Sequence, residues 1–198
     1  KVEKEIDNNF LKKMNNQYFN TAGNKENLKF ILEVAKILNL NKNFLLKTLQ
    51  KFKGLKYRQQ IIFQSKDLTI INDSKSTTFS SSMSLLKSLT NVYWIVGGQA
   101  KKGDKLLLPK KNCENTKAYI FGNNKKIFIN KLKKLMKYES FSDLKSLIKK
   151  LFLEIKIDKN SAHKTILFSP SAASFDSFKN FEQRGKYFNQ LIKKYNNV

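Results

Sequence analysis

The chain has 198 residues, 40% hydrophobic with 16 Phe, and a formal net charge of +24. That length allows one ordinary domain plus a fragment, or two small domains, at roughly 100–200 residues per domain. No apolar run approaches the roughly 20 residues needed to cross a bilayer, and the single cysteine, Cys113, excludes an internal disulfide. A cytoplasmic protein with no membrane partner is therefore expected. The start, KVEKEIDNNF, is charged and has no apolar leader core, and the first residue is Lys in mid-pattern. A fragment of a longer protein is expected.

Residues 1–22 are polar and Asn-rich, and irregular or short-strand structure is expected there. Gly23-Asn24-Lys25-Glu26-Asn27 opens a helix whose apolar face is Leu28, Phe30, Ile31, Val34, Ala35, Ile37 and Leu38. A second helix follows over Lys42–Phe52, and Gly54 marks a domain boundary. The period then changes. Arg58–Gln64 and Leu68–Asn72 predict two strands, joined as a hairpin across Ser65-Lys66-Asp67. Asp73–Thr78 is a polar turn, and Thr77 or Thr78 caps a helix running to about Leu89.

Val92–Val96 is a buried strand ending in Gly97-Gly98, and residues 99–116 form a loop. Ala118–Phe121 is a strand, Asn123–Met136 a helix, and Tyr138–Phe141 a short strand or turn. Ser142–Ile155 is a strongly periodic helix, and Thr165–Phe168 is the last strand. Phe178, Phe181, Phe188, Leu191, Ile192 and Tyr195 form the apolar stripe of a terminal helix. Short buried strands alternating with helices predict an α/β, mostly parallel, doubly wound sheet. Ligands bind such sheets beyond the carboxyl ends of the strands.

Three strands end in unusual polar loops. These are Asn72-Asp73-Ser74-Lys75-Ser76-Thr77, Gly97-Gly98-Gln99-Ala100-Lys101, and Ser169–Gly185. The last holds Pro170, one of two prolines, and Arg184, one of two arginines. In a chain that uses Lys almost everywhere, Arg58 and Arg184 mark places that call for a planar, bidentate guanidinium. Asp73, Lys75, Thr77, Lys101, Ser174, free helix N-termini and Arg58 would face one crevice and favour an anionic ligand, a carboxylate or phosphate. Asp73 could hydrogen-bond a ribose or contact a metal. The chain has no GxxxxGK[ST] loop, no GxGxxG and no zinc-type cluster. His163 precedes its strand and is expected to be a loop residue. The chain thus carries binding groups and no chemical engine.

At these residues the sequence resembles the D-glutamate-adding branch of the Mur ligase family. Ser169–Gly185 resembles its terminal signature. Asn72–Thr77 is similar to its NDSKATN motif, with Ser76 and Thr78 replacing Ala and Asn. Gly54-Leu55-Lys56-Tyr57-Arg58 resembles GLPHR, and Gly97-Gly98 with Lys101 fits GG-x-x-K. Gly23–Asn27 matches HNxxN with Gly23 in place of His. The likeness runs from about residue 20 to the end.

The resemblance implies that residues 1–52 end a central ATP-binding domain and that 53–198 form a Rossmann-like C-terminal domain. The phosphate loop and Mg2+ ligands would lie upstream, with no metal site in this part. It further implies an ATP-dependent, monomeric ligase that adds D-glutamate to UDP-N-acetylmuramoyl-L-alanine through an acyl phosphate, for peptidoglycan. Asn24 and Asn27 would lie near adenine, Asp73 near ribose, and Arg58 and Lys75 near the phosphates as catalytic groups. Thr77, Lys101, Ser174, Phe175 and Phe181 would hold D-glutamate, with Ser174 at a helix start gripping a carboxylate. With Arg58 in the phosphate role, Arg184 is expected to be a structural clamp on the domain interior. Domain closure would bring this half of the site onto the other.

Two alternatives are a related amide ligase, such as a folylpolyglutamate synthase, and a basic nucleic-acid-binding module. The lysines are spread along the whole chain with no Arg-rich patch, as an AT-rich genome would produce. No specific nucleic-acid partner is expected. Oligonucleotide binding should appear at low salt and vanish at physiological salt in a fluorescence-anisotropy titration. Tight binding that survives physiological salt would restore the nucleic-acid module.

Overall fold

The computed structural model describes residues 6–158 and 162–196. The chain divides into two compact units, residues 1–54 and 55–198.

The first unit is helical where irregular structure is expected. Helix α1 spans Asn8–Met14, and a 3-10 turn spans Gln17–Asn20. Residues 1–5 of that stretch lie outside the described residues. Local capping explains the difference. The Asp7 carboxylate accepts from Asn9 N, and Asn15 ends the helix in the left-handed region at φ 41°. Helices α2 (Ala22–Ile37) and α3 (Lys42–Lys51) follow. Asn16 Nδ2 donates to the carbonyls of Leu49 and Phe52, both at 2.7 Å, and so satisfies the end of α3. Met14, Phe19, Leu28 and Leu49 form a small core. Part of α2's apolar face stays uncovered although Ala35 is buried: Phe30, Val34 and Ile37, with Leu38 just past the helix end, are more than half exposed.

The second unit is a six-stranded sheet in the order β1-β2-β6-β3-β4-β5. Strands β1 (Gln60–Gln64) and β2 (Leu68–Asn72) form the predicted antiparallel hairpin. Strands β3 (Val92–Gly97), β4 (Thr116–Phe121), β5 (Lys137–Ser140) and β6 (Lys164–Phe168) complete it, and every other neighbouring pair is parallel. Alternation along the strands serves two cores. Ile70, Tyr93, Ile95, Tyr119, Ile166 and Phe168 face helices α7 (Leu144–Ile157) and α8 (Phe181–Asn196). Ile71, Trp94, Val96, Ala118, Ile120 and Leu167 face α4 (Phe79–Ser88), α5 (Lys110–Glu114) and α6 (Lys125–Leu132). The α/β, doubly wound reading therefore holds.

Several boundaries differ from expectation: β1 starts at Gln60, so Arg58 lies in the turn before it and not in the strand, and α6 ends at Leu132 and not at Met136. Helix α5 lies within the stretch expected to be loop. It starts after Pro109 and buries only Cys113, too little for apolar periodicity to register. Helix α8 begins at Phe181, so Phe178 belongs to the preceding turn.

Inside α8, Gly185 lies against the Tyr57 ring, and a methyl group there would fall well inside van der Waals contact with the ring carbons. Alanine has better helix propensity by about 1 kcal/mol. Gly185→Ala should nevertheless lower the urea midpoint, because overpacking costs about 1–3 kcal/mol. A raised midpoint would show that Tyr57 packs elsewhere.

Candidate functional site

Strands β2, β6 and β3 are parallel neighbours, so their carboxyl ends and the following loops leave one edge of the sheet. Backbone hydrogen bonds then join the loops. Asp73 N donates to Phe168 O at 2.7 Å, and Gly97 N donates to Pro170 O at 3.0 Å. Gln99 and Ala173 exchange two bonds, at 2.9 and 3.1 Å, as an isolated antiparallel bridge. Small residues make this approach possible. Gly98 has φ 126°, and a methyl group there would come within 2.5 Å of Ala173 O.

Asp73 lies at the centre of this edge and is buried. Its Oδ1 accepts from Gln59 N at 3.1 Å and its Oδ2 from Ser169 Oγ at 2.8 Å. Burial pushes its pKa up to about 6, against the opposing pull of those two hydrogen bonds and of the Arg58 and Arg184 charges. Behind Ser169 runs a chain of hydroxyls. Ser82 Oγ lies 2.7 Å from Ser169 Oγ and 2.6 Å from each of Ser76 Oγ and Ser171 Oγ. A hydroxyl can both donate and accept, so this buried group satisfies itself internally.

Arg184 is fully buried. Its Nε donates to Ser74 Oγ at 3.1 Å, and its Nη2 donates to Ser74 O at 2.7 Å and to Ala172 O at 3.0 Å. It thus clamps the loop after β2 to the loop after β6, the role expected of it. Arg58 is exposed, on a turn between Tyr57 at φ 62° and Gln59 at φ 49°. Left-handed non-glycine residues on both sides of it cost about 1 kcal/mol each or more. The turn is held in that shape by Gln59 N on Asp73 and by Lys75 N donating to Tyr57 O at 2.9 Å. Lys75 Nζ lies 4.0 Å from the centroid of the Phe181 ring.

The other expected site residues divide by exposure. Thr77, Lys101 and Phe175 are exposed, while Ser174 is buried. Ser174 does not start a helix. Its carbonyl accepts from Ser177 N and Phe178 N in a turn, and Asn180 Oδ1 accepts from Gln183 N at the start of α8. The N-terminus of α4 offers fewer free donors than expected, because Phe79 N donates to Asp104 Oδ2 and Ser81 N to Thr78 Oγ1. In the first unit, Asn24 is buried and its Nδ2 donates to Tyr18 O at 2.7 Å, while Asn27 is exposed. His163 lies at the opposite edge of the sheet. Its Nδ1 donates to Lys66 O at 2.8 Å, which leaves Nε2 to pair with Thr69 Oγ1 at 3.0 Å. Sequence reasoning missed Gln59, Ser82 and Asp104, and named Ser169 only as the start of its loop. The run Ser80-Ser81-Ser82 on a helix is the one local hint of a buried hydroxyl group.

The mostly parallel sheet with helices on both faces makes this an α/β domain, and its fold is of the Mur ligase type. The fold matches that of UDP-N-acetylmuramate-alanine ligase MurC from Thermotoga maritima, with a TM-score of 0.56, 15% identity, and coverage of 88% of this chain and 38% of that one. No family model matches the chain. The chain is 32% identical over 175 residues to the UDP-N-acetylmuramoylalanine–D-glutamate ligase of Wolbachia sp. subsp. Brugia malayi (strain TRS), covering 88% of this chain and 35% of that protein. It is 35% identical over 188 residues to the ligase of that name from Prochlorococcus marinus (strain MIT 9312), covering 89% and 38%. The chain belongs to the Mur ligase family, and it spans well under half the length of these curated relatives.

Asp73 takes up a proton more readily folded than unfolded. Its contribution to stability is full below its ordinary value of 3.8 and is lost as pH rises through about 6. Asp73→Asn has no proton to lose, so it should gain on the wild type by about 1 kcal/mol between pH 5 and 7.5 in urea titrations. A constant difference across that range would show an ordinary carboxylate.

Proposed function

We propose that this chain is part of a D-glutamate-adding Mur ligase. Residues 1–52 end its ATP-binding domain, and 53–198 form the domain that receives D-glutamate. The intact, cytoplasmic and monomeric enzyme would join D-glutamate to UDP-N-acetylmuramoyl-L-alanine for peptidoglycan. The observation that carries this reading is the joining of three loops, bearing Thr77, Lys101 and Ser174, along one sheet edge. The uncovered apolar face of α2 supports the domain assignment, because a face of that kind is normally packed against further structure.

ATP, with Mg2+ held upstream, would supply the phosphoryl group that activates the substrate carboxylate. This chain's own residues bind and orient. Arg58 presents an exposed guanidinium on a fixed turn, suited to a phosphate. Lys75, steadied over the Phe181 ring, adds a second positive charge. Asp73 already has an acceptor contact on each oxygen, yet a carboxylate can accept further, so a ribose hydroxyl remains compatible with it. Lys101, Thr77 and Ser174 suit a dianionic amino acid. Holding its amine towards the activated carboxyl is catalysis by positioning. Asn24 and Asn27 would serve the adenine side, and the bond that Asn24 donates to Tyr18 O uses one of its two Nδ2 hydrogens.

In the full-length protein, ATP hydrolysis should depend on both D-glutamate and the muramoyl-alanine nucleotide. Lys101→Ala should lower turnover at sub-saturating D-glutamate by roughly 10- to 100-fold, the worth of a hydrogen bond to a charged group. Unchanged turnover would sink the site assignment. Equal turnover with L-glutamate on a folate substrate would favour a polyglutamate synthase.

A further inference from the structure

We infer that Asp104 is a positioning residue that sets Lys101 against Thr77 in the acceptor pocket; this rests on the function proposed above. Lys101 stands on a loop anchored at both ends. At one end, Gln99 pairs with Ala173, the residue before Ser174. At the other, Asp104 Oδ2 accepts at 2.6 Å from the backbone N of Phe79, which follows Thr77 and Thr78. Thr78 is the N-cap of α4, and Asp104 adds to it from outside the helix's own sequence by accepting the first helical N–H, with its negative charge at the positive end of the helix.

The anchor is held from a second side. Lys131 Nζ donates to the Asp104 carbonyl and lies 5.3 Å from the centroid of the Phe79 ring. Lys101 and Asp104 are the ends of one tight turn, in which Asp104 N donates to Lys101 O at 3.4 Å and Gly103 adopts φ 78°. Fixing Asp104 on α4 therefore fixes the Lys101 backbone at the other end of that turn. Ala100, Leu106 and Leu108 pack on the core and keep the loop on the sheet. That core includes Phe79 at the start of α4, so packing brings the loop near the helix and the Asp104 hydrogen bond ties the turn to it. Among the described residues, it is the Asp104 carboxylate that bridges the Lys101 turn to the helix following Thr77.

The test uses the full-length ligase. Asp104→Ala should raise the KM for D-glutamate roughly tenfold, equivalent to about 1.4 kcal/mol of lost positioning. The KM for ATP and the kcat at saturating D-glutamate should stay within about threefold, because neither depends on this turn. Asp104→Asn should restore the wild-type KM, since Asn caps helices as well as Asp. Gly103→Ala strains the same turn while its methyl group meets open space, and it should raise the same KM. It also carries the test if Asp104→Ala does not fold. Lys101→Ala is measured alongside. If it raises the KM for D-glutamate while neither Asp104→Ala nor Gly103→Ala does, the inference about Asp104 is overturned and the pocket stands. If Lys101→Ala leaves that KM unchanged, the pocket itself is wrong. A uniform loss of kcat with all KM values unchanged would make Asp104 merely structural.

Discussion

The buried guanidinium of Arg184 is the interaction on which the polar edge depends. It joins Ser74, after β2, to Ala172, after β6, through three hydrogen bonds. Burial pulls its pKa down to about 10, opposed by the nearby Asp176 and Asp73 charges, so it stays protonated at neutral pH. A lysine could not replace it, because its compact ammonium lacks the planar fork that reaches a hydroxyl and two carbonyls at once. The next residue, Gly185, receives the Tyr57 ring, so the same turn of α8 also seats the strained segment that carries Arg58.

From that anchor the rest of the edge follows by short links. The Ser74 turn carries Asp73, which holds Gln59 and Ser169. Ser169 leads into the hydroxyl group around Ser82 on α4. The first N–H of α4 is taken by Asp104 from the loop after β3. Three loops that are far apart in sequence thereby form one surface, on which lysine, hydroxyl and guanidinium groups can meet an anionic ligand. The two arginines of a lysine-rich chain divide the work, one inside as a clamp and one outside on a fixed turn.

Much of the fold is legible along the chain. Strong apolar periodicity marks α2, α3, α7 and the strands, because burial on one or two faces writes a repeating pattern. Glycine and proline punctuation locates the loop after β3 and the loop after β6. Helices α1 and α5 are not legible, since each buries one side chain and so leaves no apolar repeat. The start of α4 misleads for a different reason. Its own residues predict free N–H groups, and the carboxylate that takes one of them lies 25 residues away. Ser174 misleads because the small-residue turn before α8 resembles a helix start.

The alternation of strands and helices, the boundary near Gly54 and the residue types available for anion binding all come from the sequence. They follow from local propensity and apolar spacing, which act between neighbours in the chain. Which polar groups remain available, and which are consumed, is settled in the folded arrangement. The order β2-β6-β3 brings Asp73, Ser169 and Arg184 together, and burial there raises the Asp73 pKa and pairs the serines with one another. Hydrogen-bond satisfaction is a property of space, fixed by what the fold places within about 3 Å, and no local pattern records it.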